Sequence, residues 1–438
     1  MLMIKVLRKH TGIRATAVRA LAAAAALATA AAGLTACGSS SSGSSSKVLK
    51  LWYYESADSA MGIAWSQAVK DFEKSHPGVT AQFQLKTFEQ LQKTAPMVLN
   101  SSGAPDVLEY NKGDATAGLL SKQGLLTDLT PEVATYGWDK KLAPNIAATS
   151  RYSAGVMGSG PWYGIPDYAE YAMVYYNKDM FARYGIAVPT TFDQFTAALA
   201  AFARAGVTPL ASAGAEYPAQ QYLFDLALTK ADPAWAAAYQ KGSGDFHDAA
   251  WTYAASTLAD WVAKGYIAKD TVSRTATDMG NAFEQGKSPM MVSGSWWYGA
   301  FENEIKNFSW DTFLWPSATM VPGSGGNLWV VPANSKNKQL AYDFIDITLH
   351  KDIQDLIANK GAVPVAADPA DVTDPRAKEL IANFQTVAGG NGLAYYPDWP
   401  VPGFYDTLVS ATQDLMNGKS PGSVLDSLET SYKQGQAQ

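Results

Sequence analysis

Apolar and polar residues alternate over Val48-Leu49-Lys50-Leu51-Trp52-Tyr53, the two-residue period of a half-buried strand. From Ala64 to Ser75 the period lengthens. Trp65, Ala68, Val69 and Phe72 recur at helical spacing, and His76-Pro77-Gly78 stops the run. Val79 to Leu85 predicts the next strand, a helix runs through Leu91 and Val98, and Pro105 to Tyr110 predicts a third strand. Such alternation of strand and helix predicts α/β lobes with mostly parallel sheets. From Phe192 to Gly265 the chain reads as helix-rich, most clearly over Ala197–Ala205 and Ala249–Lys264. Later helices are expected at Ala341–Leu349 and Ile353–Asn359, with a final pair at Tyr405–Met416 and Val424–Lys433. No internal repeat is visible.

The N-terminal stretch follows a different rule. Lys5, Arg8, Lys9, Arg14 and Arg19 precede Cys37 with no acidic residue among them, and Leu21 to Ala36 is apolar and alanine-rich. That is the layout of a secretory signal, too short for a comfortable membrane span. Leu34-Thr35-Ala36-Cys37 sets small residues before the only cysteine, and Gly38 to Ser46 continues as a serine-glycine tether. The arrangement resembles the bacterial lipobox, which implies that residues 1–36 are a signal peptide, 37–47 a tether, and Cys37 the lipidated first residue of the mature protein. An acylated terminus anchors a soluble body to a membrane face and does not span it. The alternative is a free thiol in an ordinary exported protein.

Removing residues 1–36 with their five cations takes Lys+Arg from 34 to 29 against 40 Asp+Glu, a formal charge of −11. A surface of that sign is soluble and ill-suited to nucleic acid. With no second cysteine, disulfides cannot hold the fold. A chain of this length buries enough for two lobes. The 13 Trp, 22 Tyr and 16 Phe exceed ordinary core filling and suggest flat apolar surfaces kept for a ligand.

Several segments in order carry a resemblance: Gly103-Ala104-Pro105-Asp106-Val107, then Gln123 to Thr130, then Trp162-Tyr163-Gly164-Ile165-Pro166 and Val174 to Phe181. Gly185 to Phe192, Phe283-Glu284-Gln285-Gly286-Lys287 and Met290 to Trp296 continue it. The chain resembles the extracellular solute-binding proteins of carbohydrate ABC transporters, the maltose-binding-protein-like family 1 lipoproteins. The resemblance covers nearly all of the mature chain. It implies a two-lobe periplasmic-binding-protein-like α/β fold with hinge crossings and an interlobe ligand cleft, placed where open α/β sheets carry ligands. The hinge would run through Pro166–Val174, with return crossings near Asn327–Val331 and Gly361–Val365. Lobe one is then 48–168 plus 331–362, and lobe two 172–327 plus 366–438.

A sugar presents hydroxyls at its rim and C–H patches on its faces, so binding calls for carboxylates and amides around aromatic planes. Glu55 follows the first strand beside Tyr53 and Tyr54, and is either a rim contact or a solvated loop acid. Tyr110, Asn111 and Asp114 follow the third strand, where the family places an aromatic and an acid; Asp114 alternatively caps a helix. Glu89 is a cleft candidate or a first-turn helix carboxylate. Asp167, Tyr168 and Glu170 lie at the hinge, where a carboxylate sees both lobes. Glu216 and Tyr217 resemble an acid with a stacking aromatic. Of Trp296 and Trp297 one is expected to face sugar and the other the core. Trp329 lies by a crossing, and Asp398 and Trp399 occupy a Pro-rich loop.

The favoured reading is a non-catalytic binder, without cofactor, that captures a sugar and presents it to ABC permease subunits from the outer membrane face as a lipid-anchored monomer. One alternative is a binder of another solute, a polyamine or peptide, because acidic aromatic cages suit cations. The other is a secreted glycoside-active enzyme, whose sites also pair carboxylates with aromatics. His76, His247 and His350 have no metal spacing.

Overall fold

In the computed structural model, which describes residues 47–316, 319–367 and 369–436, the opening alternation becomes β1 (Lys47–Tyr53), burying Leu49, Leu51 and Tyr53. The leader, Cys37 and the tether to Ser46 lie outside the described residues. The helix Ala60–Ser75 begins where the Ser59 side chain accepts the Gly62 N–H at 3.0 Å. It turns Trp65, Ala68 and Phe72 into the core. It ends at His76 ahead of Gly78, whose φ of +85 suits glycine. β2 (Val79–Leu85) and β3 (Val107–Tyr110) then pair with β1 on its two sides, both parallel.

A hairpin of β4 (Arg151–Ser153) and β5 (Val156–Trp162) precedes β6 (Ile165–Pro166), the edge of the first sheet. The chain then leaves that sheet. β7 (Glu170–Asn177) is buried at every position and centres a second sheet with β8 (Leu210–Ala211), β9 (Met290–Gly294) and β10 (Trp310–Phe313). β11 (Gly323–Ser324) pairs with the start of β7, and β12 (Leu328–Val330) returns to the first sheet between β3 and β6. A bridge between Ala169 and Val363 marks a third place where the segments meet. Two lobes joined by crossings result, with the cleft at the strand ends.

The sheets are less parallel than the sequence predicts. β1–β2, β1–β3 and β8–β9 run parallel, while β12 is antiparallel to β3 and β6, and β7 to β9, β10 and β11. Strands that cross between lobes enter from the far side, so their direction reverses against the βαβ set. Helix Phe192–Arg204 starts five residues before its clearest sequence signal, and Pro375–Gly389 and Ala276–Glu284 form helices that the apolar pattern did not single out.

Packing is aromatic throughout. In the first lobe Trp65 meets Trp329 edge-on at 5.3 Å, and Trp329 meets Phe344 at 5.4 Å. In the second, Tyr175 is enclosed by Phe301 and Trp310, and Phe224, Tyr239 and Trp251 pack together. The last helix, Pro421–Gln436, is held to this lobe by Tyr432 and by Glu429, which accepts the Phe246 N–H at 2.9 Å. Among the described residues no helix is long and apolar enough to cross a membrane.

Candidate functional site

Between the lobes lies a cavity of about 640 Å³, counting its open mouth. The first lobe supplies Tyr54 and Glu55 after β1, Phe88 at a helix start, and Asn111 and Lys112 after β3. Tyr168, Glu170 and Asn327 come from the crossings. The second lobe adds Tyr217, Gln220, Gln221 and Trp296 on one side, and Tyr396, Asp398, Trp399 and Tyr405 on the other.

Lys112 is the hub of this cavity. Its ammonium, 2% exposed at the side chain, pairs with Glu170 Oε1 and donates to Asn327 Oδ1 at 3.3 Å. The rings of Tyr396 and Trp399 close over it at 5.6 and 5.4 Å. Ser324 Oγ donates to the same Glu170 oxygen at 3.0 Å. The Tyr168 hydroxyl stands 3.0 Å from Glu55 Oε1 and 3.2 Å from Glu170 Oε2 while accepting from Asn327 Nδ2 at 3.0 Å. Its one proton serves one carboxylate at a time. Asn327 Nδ2 also reaches Glu55 Oε1 at 3.1 Å. One lysine on the first lobe thus touches two of the three crossings and two rings of the second lobe.

Two further carboxyls sit behind this wall. Glu109 on β3 and Asp167 after β6 are fully buried, and their side chains meet. Glu109 Oε2 accepts the Tyr54 N–H at 2.9 Å and Asp167 Oδ1 the Tyr168 N–H at 2.9 Å. Their other oxygens, Glu109 Oε1 and Asp167 Oδ2, are buried without another partner among the described residues. A proton shared between the two carboxyls satisfies both. Burial pushes Glu109 up to about 7 and Asp167 well above its usual range, with the neighbouring carboxylate adding to the rise at Asp167. Burial also lifts Glu55 well above 4.5, and carries Asp398 to about 6.

The cavity wall is polar without being saturated. Tyr54 OH, Trp296 Nε1, Gln220 Oε1 and Gln221 Oε1 are buried with no hydrogen-bond partner among the described residues. Each is costly to leave unpaired. Two close approaches set the aromatic walls. Gly113 has a φ of +106, and a Cβ there would lie 2.6 Å from Trp399 Cγ. A Cβ on Gly294 would lie 1.8 Å from the Trp296 ring. Only glycine admits either indole.

The lobes also touch across the mouth. Tyr405 OH donates to Glu89 Oε1 at 2.7 Å and accepts the Tyr217 N–H at 3.0 Å, while Phe88 meets Tyr217 and Tyr405 edge-on, both at 6.0 Å. The Ala115 N–H donates to the Trp399 carbonyl at 2.8 Å. Burial raises Glu89 to about 7.

Of the residues singled out in the sequence, Glu55, Asn111, Tyr168, Glu170, Tyr217, Trp296, Asp398 and Trp399 converge on this cavity. Glu89 lies at its mouth. The remaining six do not line it. Tyr110 lines an adjoining cavity that shares Asp398 and Tyr405. Asp114 accepts the Met157 N–H at 2.7 Å and holds the hairpin to the first lobe. Asp167 lies behind the wall. Glu216 accepts the Ala276 N–H at 2.6 Å, capping a helix. Trp297 stacks on Phe301 at 5.5 Å, and Trp329 is wholly core. Lys112, Asn327, Gln220, Gln221 and Tyr405 were not anticipated as site residues. Among the described residues no group of three or more His, Cys, Asp or Glu could hold a metal ion.

A family model for bacterial extracellular solute-binding proteins matches residues 58–355. A curated relative from Mesorhizobium japonicum, named "Probable sugar-binding periplasmic protein", is 26% identical over 318 residues, spanning 67% of this chain and 69% of the relative. Two solved chains share the fold with a TM-score of 0.77. One, from work on xylan utilisation by Caldanaerobius polysaccharolyticus, is 22% identical, with 87% of this chain and 99% of that one covered. The other, a chitin oligosaccharide binding protein, is 21% identical, with 90% and 100% covered.

Proposed function

This chain belongs to the bacterial extracellular solute-binding proteins, and from that premise we propose that it captures a carbohydrate between its lobes and hands it to an ABC permease. The observation that carries this reading is the wall of the cavity. Unpartnered Tyr54, Trp296, Gln220 and Gln221 atoms converge there with the carboxyl groups of Glu55 and Asp398. A polyol supplies alternating donors and acceptors for such a set, and its C–H faces lie on the Trp296 and Trp399 planes. The name of the Mesorhizobium relative and the chitin-oligosaccharide ligand of the structural neighbour support the same class.

Glu55, Asn111, Tyr168, Glu170, Tyr217, Trp296, Asp398 and Trp399 are the proposed contacts, with Lys112 and Asn327 holding Glu170 and Glu55 in place. Binding is micromolar or tighter and leads to no turnover. The body works outside the cell as a monomer tethered through a lipid on Cys37, which raises its concentration at the permease. A mass increase on the mature protein that vanishes in Cys37→Ala tests the anchor.

A thermal-shift screen across sugars, amino acids, peptides and polyamines tests the ligand class. At a hundredfold excess over Kd, binding adds about 2.7 kcal/mol. A body of about 390 residues loses roughly 0.8 kcal/mol per degree near its midpoint, so the expected rise is about 3 °C. Stabilisation by peptides or polyamines alone refutes the carbohydrate reading. Release of product from a bound sugar refutes the non-catalytic one.

A further inference from the structure

The charges around the cleft do not balance. Among the described residues, Glu55, Glu170 and Asp398 line the cavity against a single lining cation, Lys112, and no lining arginine or histidine. Glu109 and Asp167 stand behind the wall with one proton between them, and Glu89 and Glu216 interact near the mouth. Lys112 is already committed to Glu170 and Asn327 under the rings of Tyr396 and Trp399. Glu55 spends Oε1 on Tyr168 and Asn327, which leaves Oε2 for the cavity. Asp398 has no side-chain donor among the described residues and accepts only from its own backbone N–H. The amide oxygens of Gln220 and Gln221 add two more buried acceptors without donors.

We propose that the cleft selects carbohydrate by charge, holding sugars with a free amine more tightly than their neutral counterparts and turning away sugars with a carboxylate or phosphate. This rests on the carbohydrate reading given above. An ammonium beside Glu55 and Asp398 makes charge-assisted hydrogen bonds, which are roughly twice as strong as neutral ones. The faces of Tyr54, Tyr217 and Trp296 suit the same cation. An anionic group would leave water for a site with surplus acceptors and no uncommitted cation, which disfavours it strongly. Burial raises both Glu55 and Asp398, and the attraction of Lys112 offsets that only in part, which agrees with this direction.

The test is calorimetry on the full mature chain at pH 6.5 with matched series. These are glucose, glucosamine and glucuronate; galactose, galactosamine and galacturonate; and the β-1,4 dimers cellobiose, diglucosamine and cellobiouronate; spermidine is run alongside. In each series whose neutral member binds, the amine should bind at least tenfold tighter and the acid at least tenfold weaker. Asp398→Asn should shrink the amine-to-neutral ratio at least fivefold, whatever it does to affinity overall. A neutral sugar that binds as well as its amine overturns charge selection and leaves the carbohydrate reading standing. An unchanged ratio in Asp398→Asn overturns it likewise. Binding of no sugar, with or without spermidine, overturns the carbohydrate reading and charge selection with it.

Discussion

Replacing Lys112 by Met keeps an unbranched stem of similar length and removes the ammonium. Glu170, 4% exposed, would keep the neutral hydroxyls of Ser324 and Tyr168 as donors but no cation. The contact to Asn327 and the two ring contacts would also go. Stranding one partner of a buried ion pair costs about 3–5 kcal/mol. With roughly 0.8 kcal/mol per degree for a body of this size, 4 kcal/mol lowers Tm by about 5 °C. The second variant makes the argument decisive. Lys112→Met with Glu170→Gln removes both charges, and a neutral buried pair is often within about 1 kcal/mol of the charged one. Differential scanning calorimetry of the wild type, both single variants and the double variant completes the cycle. The double variant should recover most of the loss seen in Lys112→Met. A single variant within 1 °C of wild type, or a double variant no more stable than it, would refute the picture of Lys112 as the partner that makes Glu170 tolerable in the hinge.

Gly113→Ala should cost about 1–3 kcal/mol through its positive φ and weaken ligand binding at least tenfold by displacing Trp399, as calorimetry would report. Trp296→Ala should lower affinity at least tenfold with little loss of Tm, whereas Trp297→Ala should lose about 2 kcal/mol of stability with affinity near wild type; the reverse pattern would show the platform is misplaced. Tyr405→Phe removes the hydroxyl that joins Glu89 to Tyr217, about 1 kcal/mol of closed-state contact, so Kd should rise about fivefold. Stability should fall as pH rises from 5 to 7.5. Glu109, Glu89 and Asp398 are all raised above their usual values, so the folded chain binds extra protons in that window. Their contribution is complete below the unfolded carboxylate range and is lost as pH passes through 6 to 7. A Tm that climbs steadily across the same window would contradict the buried carboxyl pair.

Local pattern was enough for the elements that face one core. Val79–Leu85 was legible to the residue because its two-residue period is uninterrupted; the Ala60–Ser75 helix was legible at its end, where the apolar stripe stops at His76-Pro77-Gly78, but it starts four residues before the expected Ala64. Site residues were less legible, for a physical reason. Trp329 and Trp399 look alike in sequence, and only the approach of Trp65 and Phe344 to one and of Gly113 to the other separates core from cleft. Lys112 in Asn111-Lys112-Gly113 reads as a solvated loop cation until Glu170, 58 residues away, is brought against it. Asn327 is hidden likewise after two glycines. Asp167 and Glu170 are three residues apart, yet the crossing strand turns one behind the wall and the other into the cavity.

The order in which the first lobe is assembled has a consequence for synthesis. Its sheet is complete only when β12 slots between β3 and β6, and its core only when Trp329 and Phe344 reach Trp65 and Phe72. Those residues follow Pro166 by the length of most of the second lobe. At ~5–20 residues per second, roughly 10–40 s separate the emergence of β6 from that of Phe344. Throughout that interval β1, β2 and β3 can pair with one another, but the outer edge of β3 and the whole of β6 wait for β12. Interleaving the lobes therefore leaves an open sheet edge for a chaperone to cover until most of the second lobe has been made.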